Sequence, residues 1–464
     1  MRRMDIAGYY LPNHFIIEFP AHSPYLAASE GPAQQFTPLF MHEYWHFLHN
    51  VTTIAGYRSF ILTQSITMSF SRTLKGRDSA ISLKDDQAAF VATLFDLIHA
   101  MDGAPRPKNR WSEKARLFSV LDILEKDRTF TDESKGEKIQ KIIELAVEGV
   151  ASNGCTYKGK FEFGSIAIEE SIAWMVEEKF RTENGFNAVL PPPFPYRSVE
   201  RVLKGLAPSL QVSPYFCAAL GTLALGYNSP GTAFIALARK FIAEFESTKS
   251  ENDSLNNVLA LARPNMLHLT KIARQQLLEL ERSVQGLGLW PVAVKYICDL
   301  LRKGFDRRDD DPLFDIKAVF LPSKENNPGT LHNDFPPCDV LQEADDGGKM
   351  LWGFHPSNKA DVTPSDLMRI LQSQQHFVFS HMDRMRRKFL LSSRVVGDPP
   401  CNTVIDRSCP YLDACPHPFM AQNTEVCGVS PWRACAGDDR HCWYSVAVQG
   451  VMGLTGIPKK RTEP

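Results

Sequence analysis

Residues 36–50 read Phe-Thr-Pro-Leu-Phe-Met-His-Glu-Tyr-Trp-His-Phe-Leu-His-Asn. Thr37-Pro38 predicts the start of a helix, because threonine is a good N-cap and proline is tolerated in the first turn. On this helix His42 and His46 are one turn apart on the same face, so both imidazoles can reach one metal ion. The spacing H-E-x-x-H is typical of zinc sites in which the glutamate, here Glu43, takes a proton from activated water.

The alternative for this segment is a plain core helix whose histidines only hydrogen-bond to their neighbours. His49 offers a third ligand, but at seven residues from His42 it lies about 10 Å further along the helix axis, too far to share one ion. We therefore expect His49 either to support the metal ligands from outside or to have a structural role.

The third ligand is expected on a second helix, within residues 164–178. Acidic side chains in such an apolar stretch need a partner, and a cation supplies one. Glu169-Glu170-Ser171-Ile172-Ala173 resembles the second metal helix of the gluzincins, the thermolysin-like and aminopeptidase N-like zinc peptidases. The resemblance implies that Glu170 is the ligand and Ser171 its small neighbour. Glu177 also corresponds to a further glutamate that is seen in the aminopeptidases. Burial periodicity favours Glu169 instead, so Glu169 stays a rival.

The resemblance covers these two helices, about a tenth of the chain. It implies a Zn²⁺-dependent metallopeptidase that acts on protein or peptide substrates. The connection from His46 to Glu170 is longer than in those enzymes, and Trp174 stands where thermolysin-like enzymes have an aspartate. The aminopeptidase signature Gly-x-Met-Glu-Asn is absent from the sequence, so we expect an endopeptidase.

A peptidase also needs a donor for the oxyanion that forms during hydrolysis. Tyr227 is the first candidate, and Tyr157 is the second. Residues 14–19 predict a strand, because they are apolar and end at Pro20. An extended substrate is expected to add to the edge of that strand.

A cysteine-rich segment follows near the C-terminus. Its spacing lacks the C-x₂-C pairs of common zinc fingers. Three interpretations remain open: structural Zn²⁺, an iron–sulfur cluster, or disulfides. This segment is expected to hold a small domain together or to bind a protein partner. A catalytically silent, metal-stabilised interaction protein is the alternative to a peptidase. The six cysteines are Cys401, Cys409, Cys415, Cys427, Cys435 and Cys442.

Composition limits the other classes. The 464 residues carry 52 Lys and Arg against 53 Asp and Glu, a balance that argues against nucleic acid as the main partner. No secretory signal or membrane-spanning segment is expected, which predicts a cytoplasmic protein. Three regions are predicted: a zincin-like catalytic region with helical insertions (1–250), a helical region with an irregular stretch (251–395) and a Cys-rich accessory unit (396–464).

The predicted fold is mainly α with a small N-terminal β element, an α+β zincin-like core, and a small Cys-rich unit at the C-terminus. A basic run at residues 384–388 is interpreted as a solvated helix face. A strand is predicted at 316–321. Helices are predicted at 37–50, 85–101, 111–126, 138–150, 166–180, most of 198–305, and 364–391.

Overall fold

The computed structural model describes most of the chain between residues 9 and 451. The described residues are 9–11, 15–19, 37–71, 85–108, 112, 115–132, 136–151, 153–337, 339–343, 349–352, 363–380, 408–412, 414–415, 420, 422–433 and 442–451. The basic run at 384–388, Cys401, Cys435 and the predicted end of the last long helix lie outside them.

The described chain is mainly helical, as predicted. Its helices are α1 (Pro38–Thr52), α2 (Ile54–Ser71), α3 (Asp85–Asp102), α4 (Ser165–Glu183), α5 (Ser198–Leu206), α6 (Pro214–Leu225), α7 (Pro230–Thr248), α8 (Glu251–Ser283), α9 (Trp290–Asp310), α10 (Phe314–Phe320), α11 (Pro328–Asp334), α12 (Pro364–Ser380), α13 (Thr424–Val429) and α14 (Trp443–Val451). None of these helices is long and apolar enough to cross a membrane.

Helix α1 begins where the sequence predicts. The Thr37 hydroxyl accepts a hydrogen bond from the N–H of Phe40 over 3.1 Å, and proline occupies the first turn. The chain bends between α1 and α2, and Gly56 is required there. A Cβ on Gly56 would lie 2.3 Å from the carbonyl oxygen of Asn50. The close turn lets α2 pack beside α1.

The N-terminal β element is a four-stranded sheet. Its strands are β1 (Tyr9–Leu11), β2 (Ile16–Phe19), β6 (Val340–Glu343) and β7 (Lys349–Trp352), in the order β1-β2-β6-β7. The predicted strand at 14–19 is therefore present as β2. The prediction that an extended substrate adds to the edge of this strand is wrong. Strand β2 is paired on both sides, antiparallel to β1 and parallel to β6, and has no free edge.

A second sheet replaces two predicted helices. Residues predicted as helices at 111–126 and 138–150 form the long hairpin of β3 (Ala115–Asp132) and β4 (Gly136–Ala151), which pairs with β5 (Thr156–Phe163). The reason is the period of burial: Ile143, Leu145 and Val147 are buried at every second position. Alternation of this kind fits a strand with one face on the core.

Smaller differences concern single elements. The predicted strand at 316–321 is wrong, because these residues belong to the short helix α10. Helix α4 forms as predicted. Its N-cap is Gly164, and the Ser165 hydroxyl donates to Asp102 of α3 over 3.0 Å. Helix α12 is described as far as Ser380.

One apolar core joins most of the chain. Its buried members extend from Tyr10 to Leu371 and come from both sides of residue 250. The described part of the Cys-rich unit docks on α12. Trp443 donates to Asp366 over 2.8 Å, Tyr444 lies 2.6 Å from His376 Nδ1, and the guanidinium of Arg369 stacks on Trp443.

Candidate metal centre

The predicted ligands meet where α1 packs on α4. The Nε2 atoms of His42 and His46 are 3.2 Å apart. Oε2 of Glu170 lies 3.3 Å from the first and 3.7 Å from the second. Of all described residues, only these three form a group of histidine, cysteine or acidic ligand atoms close enough to share one metal ion.

The spacing of the three atoms fits a metal ion. Tetrahedral ligands at ~2.0–2.1 Å from Zn²⁺ are about 3.3 Å apart, which is close to the three separations above. Two imidazoles and one carboxylate are also a donor set that zinc uses in hydrolytic sites. The three residues therefore suit one metal ion.

The histidines and carboxylates of the site stabilise each other's charged forms. Burial disfavours a charged His42, but the carboxylates of Glu170 and Glu177 outweigh it and raise the pKa of this histidine well above its usual value. Burial likewise opposes ionisation of Glu170, yet His46 and His42 hold the pKa of that carboxyl below its usual range. A cation thus already stabilises the anionic form of Glu170, as a metal would.

Glu177 lies next to the second ring nitrogen of His42. Its Oε2 lies 3.1 Å from Nδ1 of His42, and its Oε1 accepts two hydrogen bonds from Arg181, at 2.9 and 2.6 Å. Glu170 and Glu177 are seven residues apart, so both lie on the face of α4 that meets α1. A carboxylate on the second nitrogen of a metal-binding histidine fixes the orientation of the ring.

Glu43 is buried beside the two histidines. Burial raises the pKa of the Glu43 carboxyl, while the neighbouring His42 and His46 partly offset this. A raised pKa brings a carboxylate closer to neutral pH, where a general base is most effective. Glu43 thus lies beside the triad without belonging to it.

Tyr196 is the site residue that the sequence analysis missed. Its ring stands edge-on to that of His42, with 5.7 Å between ring centroids. Burial and the charges of Glu170, Glu43 and Glu177 raise the pKa of Tyr196 well above its usual value, so its hydroxyl remains a hydrogen-bond donor. The only sequence signal was its place directly after the proline-rich stretch 191–195.

Ser171 ties the Tyr196 segment to α4. The buried Ser171 hydroxyl lies 2.9 Å from the carbonyl oxygen of Pro195 and 2.8 Å from that of Ala167, and it accepts from the N–H of Val199 over 3.2 Å. These contacts bracket Tyr196 on both sides. The small residue next to Glu170 therefore fixes the loop that carries the tyrosine.

The other sequence candidates lie elsewhere. The Tyr227 hydroxyl bonds to Asn265 of α8, and Tyr157 is exposed on β5. Glu169 is not a member of the metal triad, and it is no more buried than Glu170. Four of the tail cysteines are described, Cys409, Cys415, Cys427 and Cys442, and none of them is exposed.

His49 belongs to a separate buried network. Its Nε2 lies 3.2 Å from Oδ2 of Asp315, which pairs with Arg308 through two contacts of 2.7 Å. Arg308 also donates to Thr52 over 3.1 Å. This network joins the end of α1 to α9 and α10, which is the structural one of the two roles expected for His49.

Comparison with protein-family models, with curated proteins and with solved structures finds no match to this chain. The assignment of the site therefore rests on its residues. Those that carry it are the triad His42, His46 and Glu170, with Glu43, Glu177 and Tyr196 around it.

Proposed function

We propose that this protein is a zinc-dependent metallopeptidase of gluzincin type that cleaves peptide bonds within protein or peptide substrates. The observation that carries the proposal is the triangle of His42 Nε2, His46 Nε2 and Glu170 Oε2, with sides of 3.2, 3.3 and 3.7 Å. Glu43 on the same helix turn and Tyr196 beside His42 add a base and a hydrogen-bond donor.

The roles of the residues follow from their chemistry. A bound Zn²⁺ supplies Lewis acidity, which lowers the pKa of water to about 7 and polarises a carbonyl. Glu43 accepts the proton of the attacking water and delivers it to the leaving amine. Tyr196 donates a hydrogen bond to the oxyanion that develops on the substrate. Glu177 keeps the Nδ1 side of His42 occupied, so that Nε2 remains free to bind the metal.

The test combines zinc content with hydrolysis. Protein loaded with zinc is incubated with an unfolded protein such as casein and with a mixture of internally quenched peptides, and Glu43→Gln is treated identically. We expect the variant to keep its zinc and to cleave about 10²–10⁴-fold more slowly, because only the base is lost. Cleavage by Glu43→Gln at the wild-type rate would refute the role of Glu43.

Zinc at the triad is counted by difference. The double variant His42→Ala/His46→Ala removes two of three ligands, so it should contain one zinc fewer per chain than the wild type, whatever metal the tail holds. Equal zinc contents in the two proteins would rule out this site.

The second candidate function is a catalytically silent, metal-stabilised interaction protein. It is favoured by the depth of the histidines, whose side chains are 6% and 10% exposed. The fourth coordination position separates the two, because catalytic sites keep it open. In the cobalt-substituted protein, a hydroxamate should change the visible spectrum if the site is catalytic. A spectrum that does not respond favours the silent protein.

A further inference from the structure

A small cavity lies where the bend between α1 and α2 meets α6, α8 and α9. It has room for about one water molecule. Thr52, at the end of α1, follows His42 by ten residues, so the cavity lies about 15 Å along the helix axis from the metal triad. Its polar lining consists of four threonines and an arginine, Thr52, Thr53, Thr222, Thr270 and Arg308, and the rest is apolar or glycine.

Arg308 brings to this cavity a donor that the rest of the described chain does not use. A guanidinium group carries five N–H donors. Nη1 donates to the carbonyl oxygen of Pro312 and to Asp315, and Nη2 donates to Thr52 and to Asp315. These contacts use four of the five donors. The fifth, on Nε, is buried and has no partner among the described residues. A buried N–H is costly unless some group accepts a hydrogen bond from it.

Two threonine hydroxyls face the same need. Thr222 of α6 is only 2% exposed, and within the described part of the chain its hydroxyl has no hydrogen-bond partner. Thr52 accepts from Arg308 over 3.1 Å, which leaves the hydrogen of its hydroxyl to be donated. The other two threonines already donate elsewhere in the protein. One N–H and two hydroxyls on the lining can therefore bond to a molecule in the cavity.

The charges around the cavity favour a neutral ligand. Arg308 pairs with Asp315 through two contacts of 2.7 Å, so its charge is already compensated. Burial lowers the pKa of His49, which lies 3.2 Å from Asp315, so this histidine adds no positive charge at neutral pH. An anion would therefore introduce an unpaired charge into the core. Water carries no charge, accepts and donates hydrogen bonds, and typically makes about three of them when it is buried.

We propose that the cavity binds one structural water molecule, which accepts a hydrogen bond from Nε of Arg308 and bonds to the hydroxyls of Thr222 and Thr52. This water connects the end of α1 to α6 and α9. It completes the buried network that joins Arg308 to Asp315 and His49. The site is independent of the metal triad and of the proposed peptidase activity.

The first test depends on the sign of a stability change. Thr222→Val keeps the shape of the side chain and removes its hydroxyl. If the hydroxyl bonds to water, the variant should lower the equilibrium constant for folding about 5-fold, as measured by urea unfolding of the full chain. If the hydroxyl has no partner, valine removes a buried unpaired group, and the constant should stay the same or rise.

Thr67→Val is the matched control. Thr67 is also buried in a helix, and its hydroxyl donates to the carbonyl oxygen of Thr63 one turn earlier, over 2.9 Å. It gives the baseline for this substitution within a helix, so we expect Thr222→Val to be the less stable of the two variants. A Thr222→Val protein at least as stable as Thr67→Val would overturn the proposal.

The second test is a crystal structure of the wild-type chain grown in sodium bromide, at a resolution that shows ordered water. We expect a water peak at ~2.7–3.2 Å from Nε of Arg308 and from the hydroxyl of Thr222, without anomalous scattering from bromide. An anomalous peak at this position would identify an anion site, and a cavity without density would be dry. Either result would overturn the proposal, and both are read on the wild type, whether or not the valine variant folds.

Discussion

The carboxylate of Glu177 lies 3.1 Å from Nδ1 of His42, while Nε2 of the same ring faces Glu170 at 3.3 Å. The ring is thus held between two carboxylates from one helix. A proton on Nδ1, the nitrogen that faces Glu177, would leave Nε2 free to bind a metal. Helix α4 therefore places one carboxylate near each ring nitrogen of a histidine on α1.

Replacing Glu177 with glutamine should weaken zinc binding without abolishing it. The loss of the charged partner of Nδ1 is expected to lower the affinity about 10–100-fold. The measurement is competition against a chelator of known affinity. Glu178→Gln is the matched control, because Glu178 is the next residue and is exposed. Equal affinities for the two variants would contradict the orienting role of Glu177.

The two adjacent glutamates of α4 should respond differently to alanine. Glu170→Ala removes a predicted ligand and should abolish stoichiometric zinc at the triad, whereas Glu169→Ala should retain it. Neighbouring helix residues point about 100° apart, so only one of the two can face the histidines. Zinc content of the two purified variants decides the matter. Loss of zinc from Glu169→Ala alone would make Glu169 the ligand.

Tyr196→Phe should slow hydrolysis and leave zinc binding intact. Removal of one oxyanion donor is expected to cost about 10²–10³-fold in kcat. Tyr227→Phe serves as the control, because its hydroxyl bonds to Asn265 rather than to the site. If Tyr227→Phe is the slow variant and Tyr196→Phe is not, the oxyanion donor is Tyr227.

Asp315→Asn should destabilise the whole fold. The substitution leaves the buried cation Arg308 without its counter-charge, and breaking a buried ion pair in this way costs about 3–5 kcal/mol. Urea unfolding at neutral pH measures the change. Asp299→Asn, which breaks exposed pairs with Lys295 and Arg302, should cost no more than about 1 kcal/mol. Similar losses in both variants would contradict the stabilising role of the buried network.

The same network predicts a loss of stability in acid. Burial lowers the pKa of His49 in the folded state, so the unfolded chain binds more protons below pH ~6.5 and stability falls as the pH drops through that value. Asp315 acts at lower pH. Burial opposes its ionisation, but Arg308 and His49 hold its pKa below the usual range, so its contribution is lost below pH ~3.9.

The His49→Gln variant isolates the first of these two steps. It cannot titrate, so between pH 7 and 5 its free energy of unfolding should change less steeply than that of the wild type. Urea titrations at several pH values give both slopes. A variant slope as steep as that of the wild type would show that His49 does not contribute to the acid loss.

Local signals explain what the sequence predicted well. The Thr37 cap and the spacing of His42 and His46 are contained within one helix, so neighbouring residues suffice to define them. Glu170 could not be identified from burial alone, because the burial periodicity of its segment favoured Glu169. Only the likeness of the segment to a known type of metal helix favoured Glu170, the residue that the structure brings to the histidines.

Tertiary effects explain what the sequence did not predict. Strands β3 and β4 are rich in Leu, Ile, Glu and Lys, most of which also suit helices. Irregular pairing near Val120 interrupts the alternation of buried and exposed side chains along these strands. Pairing with a partner strand outweighed local preference there. Tyr196 was missed because its distance from His42 depends on how α4 and α5 pack, which no local pattern records.

The seven-residue interval between Glu170 and Glu177 fixes the number of residues that α4 can have between these two carboxylates. One extra residue inside this interval would turn one carboxylate about 100° away from His42, whatever its chemical identity. No described residue of the long connection between His46 and Ser165 belongs to the metal triad, so that connection carries no such requirement. Changes in chain length are therefore compatible with the centre in the hairpin of β3 and β4 but not within two turns of α4.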